Sequence, residues 1–320
     1  MYKSIFLILW ILILTASVLA QTPQLVVPTG HVRGMNTLEF SPDGKYLLTR
    51  GQDAKALLWD IRTGAQLRSL EDGKSVTTFA ISWDSKRLAV GHWNVKDGNV
   101  RVYDLASGQR LYSTQQAGSP KQMYFTSDGK YLLSAGGDYR LTVFDANTGK
   151  LIKRYGTPPT NETERFRADE SAEFLAPSAD DRLVAIGTRR KSFEMFDITP
   201  TSLQATGDGK PIYSIGPFAD NLAMGKWSPD SKYFLFATPD GTLFCWSATE
   251  RKGLWQTRNL PANIYSIVFP RDSSKFTMLE NDTLHEIETA TGQLLSNTAN
   301  KLNNNQTRWV ALPTPGTYLN

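Results

Sequence analysis

Apolar and polar positions alternate in short blocks along this chain, and helical spacing does not interrupt them. An alternating run ending at Phe40 enters the polar turn Ser41-Pro42-Asp43-Gly44-Lys45, and a second apolar run begins at Tyr46. The same event recurs at Ser82-Trp83-Asp84-Ser85-Lys86, Thr126-Ser127-Asp128-Gly129-Lys130 and Ser178-Ala179-Asp180-Asp181-Arg182. It returns at Ser228-Pro229-Asp230-Ser231-Lys232 and Arg271-Asp272-Ser273-Ser274-Lys275. The turn aspartates are 41, 44, 52, 50 and 42 residues apart. Asp, Gly and Ser suit these positions because each tolerates, or locally hydrogen-bonds, the tight backbone of a hairpin.

After each turn comes a strand, a Gly or Asp turn, and a third strand that closes at a fixed place. The closing pairs are Trp59-Asp60, Tyr103-Asp104, Phe144-Asp145, Phe196-Asp197, Trp246-Ser247 and Ile287-Glu288. A further turn is marked at Gly64, Gly108, Gly149 and Gly292. Short strands broken at such intervals predict an all-β chain. A period of roughly 40 to 50 residues with four strands in each predicts a β-propeller.

The stretch Gly30 to Gly64, GHVRGMNTLEFSPDGKYLLTRGQDAKALLWDIRTG, resembles a complete WD40 repeat, and weaker copies cover Gln24 to Leu319. The resemblance implies a single-domain WD40-type propeller with six recognisable repeats and a partial seventh blade. It also implies that His31, Thr49, Asp53 and Trp59 form a hydrogen-bonded group stapling the first blade. Later units depart from this pattern. The third keeps Ser134 and Asp138 but has Phe144 for Trp and no His; the fifth keeps Asp240 and Trp246; the fourth keeps none. Strand ladders and packing between sheets must therefore hold most blades, each buried aromatic contributing about 1.5 to 3 kcal/mol. By the same resemblance Leu25-Val26-Val27 would supply the outermost strand of the seventh blade, and Trp309 to Leu319 its two inner strands. The third strand would fall beyond Asn320, so either the ring closes imperfectly or the chain is the front part of a longer protein.

Two segments lengthen the connections around the fourth unit, residues 156 to 171 and roughly 199 to 218. Both are rich in Pro, Thr and Gly and predict surface loops. Asn161, Asn281 and Asn305 stand in Asn-X-Thr sequons, relevant where a host glycosylates exported proteins.

The first residues carry a different pattern. Lys3, an apolar run from Ile5 to Leu14, and small residues at Val18-Leu19-Ala20 predict a signal peptide over 1–20, cleaved before Gln21. The mature propeller would span 21–320 as a secreted or periplasmic monomer without a membrane span. Of the 320 residues 40% are hydrophobic, enough for a substantial core. Thirty-five basic and 31 acidic side chains give a net charge of +4. With Lys3 removed, the basic count falls to 34 and the charge to +3. A scattered surplus of this size argues against nucleic acid, which calls for a clustered basic stripe.

Candidate chemistry is sparse. Cys245 is the only cysteine, so neither an intrachain disulfide nor a cysteine zinc site can form. His31, His92 and His285 lie in different repeats without metal-ligand spacing. Nearly all the aspartates belong to turns, and no phosphate loop, nucleophile elbow or Cys-His pair occurs. The expectation is no catalytic, cofactor or metal site.

What remains is a surface. The loops joining second to third strands, and those joining one blade to the next, should emerge on one face. That face would carry Arg33, His92, Trp93, Lys96, Lys121, Tyr139, Arg140, Arg189 and Arg190, among which Trp, Tyr and Arg are the types over-represented at binding hot spots. The sequence thus predicts a non-catalytic platform for a protein or peptide partner. The alternative is the sensor part of a WD40–caspase-like protease whose catalytic domain would follow Asn320. A propeller hydrolase or lactonase with its site at the central channel is a third reading.

Overall fold

The structure, a computed structural model, describes residues 30–70, 75–93, 98–138, 140–156, 172–188, 192–218, 222, 224–238, 242–257, 264–280 and 283–299. These residues build six four-stranded antiparallel sheets, each in simple sequential order. The first holds β1 (Met35–Phe40), β2 (Tyr46–Gly51), β3 (Ala56–Asp60) and β4 (Gln66–Ser69). The second holds β5 (Val76–Ile81), β6 (Arg87–His92), β7 (Val100–Asp104) and β8 (Arg110–Thr114). The third holds β9 (Pro120–Phe125), β10 (Tyr131–Gly136), β11 (Leu141–Asp145) and β12 (Leu151–Tyr155). In the fourth, β13 (Ala172–Pro177), β14 (Leu183–Thr188) and β15 (Ser192–Asp197) are followed by a short helix α1 (Pro200–Gln204) before β16 (Tyr213–Ile215). The fifth holds β17 (Met224–Trp227), β18 (Tyr233–Ala237), β19 (Leu243–Ser247) and β20 (Lys252–Thr257). The sixth holds β21 (Ile264–Val268), β22 (Lys275–Glu280), β23 (Thr283–Glu288) and β24 (Leu294–Ala299).

The six repeats are thus six blades of an all-β, WD40-type propeller, and every third strand ends at the pair the sequence marks. In five sheets the ladder between third and fourth strands shifts register at the closing aromatic or its aliphatic equivalent, as at Leu58/Trp59 and Cys245/Trp246. Such a bulge strengthens local twist and re-aims the side chain beside it. The second strands are near-continuous apolar runs, Leu132 to Ala135 or Phe234 to Ala237, and these residues are almost wholly buried. A strand covered on both faces has no reason to alternate. The core is divided accordingly. Five clusters each draw on two adjacent sheets; Leu48, Leu58, Phe79 and Val90 belong to one, and Phe193, Trp227, Phe234 and Trp246 to another.

The polar turns do more than reverse the chain. The residue after the turn aspartate is left-handed in every sheet, with φ from 53° at Asp181 to 71° at Gly44. Where it has a side chain, that side chain grips the turn of the preceding sheet. Ser85 Oγ accepts Asp43 N–H at 3.0 Å, Ser273 Oγ accepts Asp230 N–H at 3.3 Å, and the Asp181 carboxylate accepts Ser127 N–H. Gly129 has nothing to offer the second sheet. There Arg87 reaches across instead, donating to Gly129 O, Ala146 O and Asn147 Oδ1 at 2.8 to 2.9 Å.

The segment around 199 to 218 corrects the surface-loop expectation, since it holds α1 and the strand β16. Its composition is polar, yet Leu203 is buried in the core between the third and fourth sheets. Lys153 of β12 donates from Nζ to Ser202 O at 2.7 Å and Ala205 O at 2.8 Å, satisfying carbonyls at the end of α1. Gly209 pairs with Tyr155 as an isolated parallel bridge, and a Cβ at Gly209 would collide with the Tyr155 ring. The insertion therefore covers part of the outer edge of the third sheet, an edge that would otherwise offer free main-chain groups.

β1 contrasts with the innermost strands of the next two sheets: Met35, Leu38 and Phe40 are each about half exposed. The signal segment, the strand at Leu25-Val26-Val27, the tail from Trp309 to Leu319 and the insertion from 157 to 171 lie outside the described residues.

Candidate interaction face

The rim where first strands begin and second strands end carries the staple of the first sheet. Gly30-His31 lies just before β1, Thr49 on β2, Asp53 in the following turn and Trp59 near the end of β3. Trp59 Nε1 donates to Thr49 Oγ1 at 2.8 Å, and Thr49 Oγ1 lies 2.9 Å from His31 Nε2. His31 Nδ1 faces Asp53 Oδ1 at 3.0 Å. One proton pattern satisfies the whole relay: Trp59 donates to Thr49, Thr49 to His31 Nε2, and His31 Nδ1–H to Asp53. Asp53 also accepts Val32 N–H at 3.1 Å and Lys55 N–H at 3.3 Å. Burial raises its pKa, but these bonds and the His31 contact outweigh that and hold the carboxyl below its usual range. The group is saturated internally and ties the blade together.

The third sheet holds a counterpart that sequence reading missed. Gln116 stands four residues before β9, as His31 stands four before β1, and it is fully buried. Its main chain is fixed by Asn99, which accepts Gln116 N–H at 2.9 Å and donates to Gln116 O at 3.0 Å. An amide thus occupies the imidazole position beside Ser134 and Asp138. Asp138 is 2% exposed, and burial pushes its carboxyl up to about 6 against the opposing pull of Arg140 and the Gln116 amide. Among the described residues Ser134 Oγ has no hydrogen-bond partner. The spacing to the next strand was the signal that could have revealed Gln116.

Among the predicted surface residues, Trp93 is 46% exposed at the end of β6, its N–H held by Ser75 O at 2.9 Å. Lys121 Nζ lies 5.0 Å from the centre of its ring, a cation–π contact bridging the second and third sheets. Arg33 is exposed on the same rim. Two other residues are placed differently from expectation. His92 is wholly buried, the last residue of β6 with Trp93 beyond it. Arg140 is 7% exposed because its guanidinium turns into an ion pair with Asp208 of the insertion, at 2.6 Å. Lys96, Tyr139, Arg189 and Arg190 lie outside the described residues.

The groups with chemical potential are otherwise engaged. Cys245 is buried and burial pushes its thiol up to about 12. Asp43 and Asp230 sit in turns where burial is outweighed by hydrogen bonds from Ser41 and Lys45, or from Ser228 and Lys232, so both are held below the usual range. Glu39 is pushed up to about 7 by burial between the first two sheets, where it accepts Ile81 N–H at 3.2 Å. Its partner is a main-chain group of the neighbouring sheet, which makes it a seam residue. Among the described residues no three His, Cys, Asp or Glu side chains converge as a metal site would require.

The PQQ_2 family model, described as outer membrane protein assembly factor BamB, matches residues 38–257. The chain is also similar to the WD repeat-containing protein SL1-17 of Schistosoma mansoni, 31% identical over 36% of this chain and 38% of the relative. It is 27% identical to transducin beta-like protein 3 of Rattus norvegicus over 41% of this chain and 18% of that protein. With the serine-threonine kinase receptor-associated protein of Gallus gallus it shares 23% identity over 72% of this chain and 60% of the relative. In each case the matched region is less than two thirds of the relative's length.

Proposed function

Because this chain belongs to the PQQ_2 family of β-propellers, we propose that it is a non-catalytic platform that presents the Trp93 rim to a protein or peptide partner. The observation that carries this reading is the exposed Trp93 with Lys121 stacked on it, anchored between two rigid sheets. A large amphipathic ring held in place loses little freedom on binding, which is what a hot spot requires. The names of the matched proteins support the same direction: an assembly factor and a receptor-associated protein act by association. The polar relay of the first sheet is saturated, and Cys245 is protonated and enclosed, so neither supplies a reacting group. Export belongs to the same proposal, and amino-terminal sequencing of protein recovered from the exported fraction should begin at Gln21.

The test is Trp93→Ala in the full chain, used as bait beside the wild type. The variant should melt with the wild type and lose partner recovered by the wild-type chain. Unchanged recovery, or an equal loss of folding, rejects the rim as the binding surface.

A further inference from the structure

The first three sheets present one continuous path along the rim that holds Trp93. Gln52 N–H donates to Gly34 O at 2.8 Å, which ties the turn after β2 to the segment before β1. Val76 N–H donates to Ala54 O at 3.0 Å and Trp93 N–H to Ser75 O at 2.9 Å, carrying the path into the second sheet. The Trp93 ring then meets Lys121 Nζ of the third. Two apolar side chains stand up from this path, Val32 at 73% exposure and Trp93 at 46%. Val32, like Trp93, has its main chain anchored, its N–H being held by Asp53 Oδ2 at 3.1 Å.

Charge differs between this rim and the opposite one. Along the path Arg33, Lys55 and Lys121 are basic. The one carboxylate among the described residues that make it up, Asp53, is 4% exposed and turned into the His31 relay. On the opposite rim the turn lysines come with their own counter-ions: Lys45 pairs with Asp43 at 3.2 Å, Lys130 with Asp128 at 2.9 Å and Lys232 with Asp230 at 3.4 Å. Three cations spaced by two apolar side chains do not match a phosphate backbone, which calls for a dense basic stripe.

We infer that the partner engages this path through an acidic segment with an apolar residue inside it. Its carboxylates would lie beside Arg33, Lys55 and Lys121, and its apolar residue against Val32 and Trp93. Complementary rim charge sets encounter rate and discrimination more than affinity, so charge selects the segment and the apolar contacts hold it. The inference deepens the reading of the Trp93 rim and rests on it.

The test titrates the full chain calorimetrically with acetyl-Glu-Glu-Leu-Phe-Glu-Glu-amide and with its counterpart carrying glutamine at each glutamate. Glutamine keeps the shape and removes the charge. Wild type should bind the acidic peptide about ten-fold more tightly in about 50 mM salt and about two-fold more tightly in about 500 mM, because exposed ion pairs are screened. Arg33→Glu should bring the low-salt ratio to about one. Arg62→Glu, the same charge change at an exposed position on the opposite rim, should leave it near the wild-type value. Trp93→Ala should weaken both peptides alike, by about five-fold or more. Should Arg33→Glu melt early, Arg33→Gln takes its place and should reduce the ratio to about three-fold. Equal affinity for the two peptides in wild type overturns the acidic partner and, where Trp93→Ala still weakens both, leaves the rim reading standing. An equal loss in Arg62→Glu, or no binding of either peptide at millimolar concentration, overturns it as well. Unaltered binding of both peptides by Trp93→Ala overturns the rim reading and this inference with it. Tighter binding of an oligothymidylate than of the acidic peptide overturns it in favour of a nucleic acid.

Discussion

The hydroxyl of Ser231 accepts the main-chain N–H of Asp180 at 3.1 Å, so the turn of the fifth sheet grips the turn of the fourth. Ser231 does this from a left-handed conformation, φ 58°, which favours glycine. Ser231→Ala keeps the backbone strain and loses the bond, and should cost about 1 kcal/mol. Ser231→Gly loses the same bond but relieves strain worth about 1 kcal/mol, so it should fall between the alanine variant and wild type. Urea denaturation distinguishes them. An alanine variant as stable as wild type would show that the contact contributes nothing.

Thr49→Val should be far more damaging than its size suggests. It removes the acceptor of Trp59 Nε1–H and the partner of His31 Nε2 together, leaving polar groups unpaired at about 1 to 3 kcal/mol each. Ser134→Ala, at the equivalent position of the third sheet, removes a hydroxyl without a partner and should stay within about 0.5 kcal/mol of wild type. Equal effects in chemical denaturation would refute the view that only the first sheet relies on this relay.

Asp138 makes a pH prediction of unusual sign. Its folded pKa, about 6, lies above the ordinary 3.8, so the folded state holds the proton more tightly than the unfolded chain. Its contribution is fully present below pH 3.8 and is lost as pH rises through about 6. Asp138→Asn should therefore match wild type near pH 4 and exceed it at pH 7 by on the order of 2 kcal/mol. Turn aspartates such as Asp43 act in the opposite sense, so the difference between variant and wild type is the quantity to plot. A pH-independent difference would contradict the assignment.

Gly209→Ala should loosen the insertion without unfolding the chain. A methyl group there collides with Tyr155, so the bridge to β12 must open. The amides of Gly156 and Gly209, bonded to Gly209 O at 2.9 Å and Arg154 O at 2.8 Å, should lose hydrogen-exchange protection while β10 and β11 retain theirs. Protection unchanged at Gly156 would count against a docked insertion.

Cys245 should resist alkylation at pH 8 in the folded chain and react fully in denaturant, because burial keeps its thiol protonated. Rapid labelling of native protein would contradict its enclosure.

Fold was legible because its determinants are local. The polar turns and the pairs closing each third strand sit at fixed offsets, and Trp59, Phe144 and Ile287 all land where that grammar puts them. The rim was less legible because its partners are distant in sequence. Nothing near Arg140 announces that Asp208 will neutralise it, and nothing near Lys153 announces the carbonyls of Ser202 and Ala205. Leu203 was hidden by its polar neighbours, and Gln116 by being an amide where an imidazole was sought. Ser85, Ser231 and Ser273 suit a turn by backbone preference alone, so their grip on the adjoining sheet could not be inferred from residue type.

One joint in the array is built from different material. Between most neighbours a short side chain fixes a main-chain N–H at close range, much as a rivet fixes plates. Between the second and third sheets Arg87 spans the gap on a flexible stem and holds three acceptors at once. Tyr112 Oη–H, donating to Ala146 O at 2.8 Å, and Trp83 Nε1–H, donating to Tyr124 Oη at 3.1 Å, cross the same gap, so this joint is held by side chains that reach rather than by one that sits in the turn. Trp93 and Lys121 straddle the same joint, so the geometry offered at the rim is coupled to the angle between these two blades.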